Sequence, residues 1–209
     1  MSLAINTPRC AVIAALFLAA ACQHEGPPVS VWRAPVAGRP VGVALSEVPL
    51  ADPAAVERYV EGLLAVAAGD EGLDALVSIA RRLDATDLAR HRGARLLTMQ
   101  AAFRIVRSGG LGPRFDDLRA LVDGLQAAVP ASPEALACRS FLRWIVVTDG
   151  HGGFKRDGLD PAIVRDLAHD LRTLADAHPA FDAPPPFDRF RIRGEAAAAE
   201  NLVASLGSP

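Results

Sequence analysis

Residues 160–179 read DPAIVRDLAHDLRTLADAHP. Asp160 followed by Pro161 is a helix start, because an aspartate side chain accepts from the first free amides and proline suits the first helical position. Ile163, Val164, Leu167, Leu171 and Leu174 then recur at three- and four-residue spacing, which places them on one face of an α-helix. A strand would bury alternate residues, and no such alternation runs through this stretch. On the helical wheel His169 falls almost opposite the apolar centre and Asp170 falls on its flank. Leu167 and Leu171 lie near the centre of the stripe and are expected in the core.

The same punctuation recurs upstream. DPAAVERYVEGLLAVAAGD, from 52, has Asp52 as cap, Pro53 at the first position, and Val56, Tyr59, Val60, Leu63 and Leu64 on one face. DEGLDALVSIARRL follows, then DATDLARHRGARLLTMQAAFRIVRSGG, which ends at Gly109-Gly110, a helix stop. PRFDDLRALVDGLQAAVP closes at Pro130, and SPEALACRSFLRWIVVTDG restarts from Ser132. Ile145-Val146-Val147 favours strand but lies inside this capped helical frame. The last segment, FDRFRIRGEAAAAENLVASLG, has Gly194 as a point of breakage and leaves FRIR open to an extended form. The fold class expected is therefore all-α: six or seven helices in an irregular bundle or a short helical superhelix. Helix pairs in series raise the question of repeats. The spacing is irregular and the tetratricopeptide signature is absent, so a degenerate repeat stays open.

Before the first helix the chain changes character. Residues 22–51 hold five prolines and no sustained period, the composition of a tether on which Trp32 and Val43 could rest against the body. As a coil such a segment has ends ~30 Å apart. Residues 1–21 open with Arg9 and an apolar run from Cys10 to Ala21. At 1.5 Å per residue this run reaches ~18 Å, short of the roughly 20 residues that cross a bilayer core, but right for the apolar region of a secretory signal.

The neck Ala19-Ala20-Ala21-Cys22 resembles the lipobox of bacterial lipoproteins, with Ala19 where leucine is usual and Leu18 one position early. The resemblance covers only these first residues. It implies removal of 1–21, lipidation of Cys22 as the new amino terminus, and a helical domain over 52–209 held to a membrane. Gln23 stands where aspartate retains such proteins at the inner membrane, so the outer membrane facing the periplasm is the expected address. The same three alanines also fit ordinary secretory cleavage, which leaves a secreted or soluble periplasmic protein as the alternative.

Composition narrows the function classes. Of 209 residues, 51% are hydrophobic and 22% charged, a globular balance. The formal charge is −2, and loss of Arg9 takes it to −3, so no global basic field exists to hold nucleic acid. The only lysine is Lys155, a bias towards arginine that accompanies abundant alanine and looks like GC-rich codon usage. Cys138 is the one cysteine left if Cys22 carries lipid, and it reads as a small buried residue.

Three constellations carry chemical interest. His169-Asp170 resembles the ligand pair of the HD metal-dependent phosphohydrolases, which are all-α. The wheel turns His169 outward and leaves Asp170 on the flank, and the Gly-Lys that usually follows is replaced by Arg172-Thr173. DGHGGFKRDGLD, 149–160, lacks the alternating carboxylates of a calcium loop and the signature of a phosphate loop. It reads as a linker, with His151 and Lys155 as its candidate ligands. Arg81, Arg82, Arg90, Arg92, Arg95, Arg104 and Arg107 form a basic stretch, and Arg189, Arg191 and Arg193 a second one. These could meet lipid phosphates or an acidic partner, or pair with acids on neighbouring helices. No zinc spacing, nucleophile elbow or cofactor motif occurs, so no metal or cofactor is implied. The expected function is a membrane-tethered envelope lipoprotein whose helical domain binds or scaffolds another envelope protein. The alternative is an enzyme or small-ligand receptor with a site built from scattered residues.

Overall fold

In the computed structural model, the described residues are 45–66, 71–108, 111–149, 153–155 and 158–206. The expected signal segment 1–21, Cys22, Trp32, Val43, His151 and the Gly109-Gly110 stop lie outside them. Capping side chains start the helices as their sequences dictate. Asp52 Oδ1 accepts from the amides of Ala54 (3.0 Å) and Ala55 (3.2 Å), opening α1, Pro53–Val66. Helix α2 follows at Glu71–Arg81. Asp84 and Asp87 cap each other's backbone amides at the start of α3, Ala85–Arg90, and α4 runs Arg92–Arg107. Helix α5 is Leu111–Ala128. Ser132 Oγ accepts from Ala135 N at 3.2 Å to open α6, Pro133–Val147. Asp160 Oδ1 does the same for Ala162 N at 2.8 Å in α7, Pro161–Ala177, and α8 closes the chain at Ile192–Leu206. The protein is all-α, an irregular bundle; the one β-type pairing among the described residues is a single bridge between Thr148 and Phe154.

The eight α-helices among the described residues are one more than the upper expectation, and the extra one has an identifiable cause. The segment 84–107 reads as one helix but breaks at His91, which is extended (φ −115°, ψ 116°) and caps both α3 and α4. Arg95 Nη1 takes the carbonyls of Leu88 (2.9 Å) and Ala89 (3.3 Å), groups that a continuous helix would pair with its own next turn. At the other end of the chain α8 continues straight through Gly194, and Arg189–Arg191 form a turn instead of a strand.

Helix α4 is the centre, with most of its residues buried and with α1, α2, α3, α5 and α6 packed around it. Beyond α6 the chain adds layers in order: α7 against α6, then α8 against α7. The stripe expected on α7 is the core face, since Val164, Leu167, Leu171 and Leu174 are all at most 1% exposed. Each such leucine contributes roughly 1.5–3 kcal/mol by leaving water. No helix among the described residues is long and apolar enough to cross a membrane.

Residues 45–51, read from sequence as the end of the tether, belong to this body. A short 3-10 turn at Leu45–Glu47 leads to Val48, which is buried, and the Leu50 carbonyl lies over Gly93 at the start of α4. A Cβ at position 93 would meet Leu50 O at 2.4 Å and Val56 Cγ2 at 2.9 Å, so only glycine allows the two backbones this close. Gly93→Ala should therefore force residues 48–51 away from α4. The expected loss is about 1–3 kcal/mol, the range for an overpacked site, read by thermal melting. Proteolysis within 48–52 should rise in parallel, and an unchanged melting curve would contradict the close approach.

Candidate functional site

Two acidic side chains are buried, and each is held by two guanidinium groups. Asp166 and Asp170 lie one turn apart on α7, facing Arg139 and Arg143, one turn apart on α6. Arg139 donates from Nε to Asp170 Oδ2 (2.7 Å) and from Nη2 to Oδ1 (2.6 Å), a bidentate fork. Its Nη1 donates to Gln126 Oε1 at 2.6 Å, which ties in α5. Arg143 donates to Asp170 Oδ2 as well, and through Nη2 to Asp166 Oδ2 at 3.0 Å. The hydrogen bond to Asp170 raises the pKa of Arg139 above the ordinary guanidinium range, so this charge is fixed.

The Asp170 side chain is 4% exposed, which corrects its expected place on the flank of the helix. The wheel registers only apolar residues, whereas here a carboxylate is carried into the interface by two arginines from the facing helix. His169 is exposed, as the wheel predicts. One member of the pair is therefore clamped in the α6–α7 interface while the other faces solvent, and they do not converge as phosphohydrolase ligands must. Among the described residues no group of three His, Cys, Asp or Glu side chains is placed to hold a metal.

The second clamp joins α4 to α6. Glu134 is fully buried, and its oxygens accept from Arg92 Nε (3.2 Å) and Arg95 Nε (3.3 Å). This accounts for part of the basic stretch, as does Arg81 Nη1 on Asp117 Oδ1 at 2.6 Å. Arg90 and Arg107 are exposed and Arg104 is half-buried. Cys138 is buried next to these groups; burial first, and the Glu134 charge second, push its thiol pKa up, which keeps it protonated and unreactive. Lys155 is exposed and donates to Val146 O at 2.7 Å, closing the loop after α6 against the helix end.

The second arginine cluster has a different setting. After α7 the chain runs on without a helix, with Phe181, Ala183 and Phe187 buried. It then turns sharply at Asp188, whose Oδ1 accepts from the amides of Phe190 (3.1 Å) and Arg191 (3.3 Å). Asp182 Oδ1 accepts from Arg189 N at 3.0 Å. These bonds hold Arg189, Phe190 and Arg191 as a turn that leads into α8, whose first residues are Ile192 and Arg193. Ile192 points inward and is buried, while Phe190 is 81% exposed and Arg189, Arg191 and Arg193 are all exposed. The Arg189 guanidinium carbon lies 4.7 Å from the centroid of the Phe190 ring, a cation–π contact.

Between this turn and the last turn of α7 is an open cleft of about 340 Å³. Leu174, Phe181 and Ile192 line its apolar side, and His178, Arg189 and Arg193 its polar side. The described residues that line it include no carboxylate, thiol or hydroxyl. The arrangement can hold an anion beside an apolar group, and His178 is its one side chain able to take up or give a proton near neutral pH among the described lining residues. The three arginines stand out in the sequence, but Phe190 does not, although the alternation Arg-Phe-Arg-Ile-Arg around it was the available signal. Comparison of the chain with known protein families, curated proteins and solved structures finds no match.

Proposed function

We propose that this protein is a bacterial cell-envelope lipoprotein, anchored through lipid on Cys22, whose helical body is a binding module for another envelope component. The observation that carries this reading is the Ala20-Ala21-Cys22 neck after an apolar run too short to span a bilayer. The body supports a binding role over a catalytic one. Its two buried carboxylates are each matched by two guanidinium groups, its described thiol is buried, and its cleft presents cations and apolar surface. With Gln23 after the lipidated residue, the proposed address is the outer membrane on its periplasmic side.

Metabolic labelling tests the anchor. A tagged fatty acid should be incorporated into the wild-type chain, which fractionates with membranes. Cys22→Ala should lose the label and, if still exported, move to the soluble fraction. A wild-type chain that stays unlabelled and soluble would remove the basis for the proposal.

A further inference from the structure

The segment 189–193, a turn and the first residues of α8, has the composition of an interfacial membrane contact. Phe190 is the most exposed of the large apolar side chains described, and the Arg189 guanidinium lies over its ring. It is flanked on both sides by exposed arginines. Three acids lie nearby, and of these Asp188 pairs with one of the arginines. Asp182 and Asp188 accept from backbone amides of the turn, and the Glu195 carboxylate lies 3.4 Å from the Trp144 indole nitrogen. Of the three arginines, Arg191 has an acid within reach, Asp188 at 3.8 Å, while Arg189 rests on the Phe190 ring.

We infer that this turn docks the helical body on an anionic phospholipid surface, with Phe190 entering the interface and lipid phosphate taken up between Arg189, Arg193 and His178 at the cleft. The chemistry is complementary on both counts. An aromatic ring gains by leaving water at the headgroup boundary, and each basic side chain near an anionic leaflet strengthens association roughly fivefold. A flat protein partner is a poorer match, because the segment brings only one large exposed apolar side chain with it.

The inference rests on the reading of the chain as membrane-tethered, and the chain length permits it. Twenty-three positions separate Cys22 from Leu45, the first described residue. Their greatest reach is ~80 Å, about twice the width of a body of this size. Any face of the domain can therefore return to the membrane that anchors it.

The test uses the full chain carrying Phe190→Trp, mixed with vesicles of phosphatidylglycerol or phosphatidylcholine whose acyl chains are brominated. Subtracting the emission of the parent chain isolates the new tryptophan. Because position 190 is exposed, the substitution leaves the fold intact, which circular dichroism verifies. More than half of the added emission should be quenched in phosphatidylglycerol and little of it in phosphatidylcholine. Adding Arg189→Gln and Arg193→Gln should raise the phosphatidylglycerol concentration needed by roughly 25-fold. Equal quenching in both lipids would show apolar insertion without headgroup recognition and would overturn the inference. So would an unquenched tryptophan in phosphatidylglycerol, the result expected if this turn faces solvent or a protein. The readout needs no fatty acid on Cys22, so its failure and the failure of the anchor are separate results.

Discussion

Phe103→Ala is expected to lower the stability of the folded protein by about 3–5 kcal/mol, the range for removing a large aromatic from a core. Phe103 sits on the central helix α4 and is wholly buried. Its ring stacks on Phe141 of α6 at 4.0 Å between centroids, with the planes 9° apart. Phe187, from the irregular segment after α7, meets Phe103 edge-on at 6.4 Å and Phe141 at 6.0 Å. Trp144 completes the group against Phe141 and Phe187. Removing Phe103 leaves a cavity at the point where α4, α6 and the 181–187 segment meet. It also deletes two ring contacts worth roughly 0.5–1.5 kcal/mol each beyond their area. Against a typical total of ~5–15 kcal/mol this is a large fraction. Urea unfolding followed by circular dichroism reads it, and a loss below about 1 kcal/mol would mean that the cluster is not the joint described.

Asp170→Ala is expected to cost about 2–4 kcal/mol. Removing one side of a buried ion pair costs roughly 3–5 kcal/mol when the remaining charge is left dry. Here Arg139 and Arg143 are 30% and 26% exposed, so water can reach them and the cost is discounted. The neighbouring His169→Ala should change stability by less than ~0.5 kcal/mol, because its side chain faces solvent. The contrast between adjacent residues separates a structural clamp from a metal site. A metal pair would respond to both substitutions and to chelators. A clamp responds to Asp170 alone, and equal effects at the two positions would contradict it.

What the sequence discloses follows from which interactions are local. The caps at Asp52, Ser132 and Asp160 and the stripe on α7 depend on residues within a few positions of one another, so each is readable and each is found. The break at His91 depends on Arg95 reaching back to α3 while Glu134, some forty residues away, holds it. No local period encodes that. Asp170 is misplaced by an apolar wheel for the same reason: its burial is made by α6. Phe181 and Phe187 lie in a proline-rich stretch with no period at all, yet both fill the core. The candidate site shows the same division. Three arginines at alternate positions are visible as a cluster, but the exposure of Phe190 between them depends on the turn that Asp188 and Asp182 tie.

The most direct measurement of the central claim is the intact mass of the protein extracted from its native membrane, with a fragment spectrum of its amino-terminal peptide. A tethered lipoprotein predicts a chain that begins at Cys22, has lost residues 1–21, and carries a diacylglyceryl group on the Cys22 sulfur. A chain that begins elsewhere, or one that begins at Cys22 with its thiol free, would contradict it.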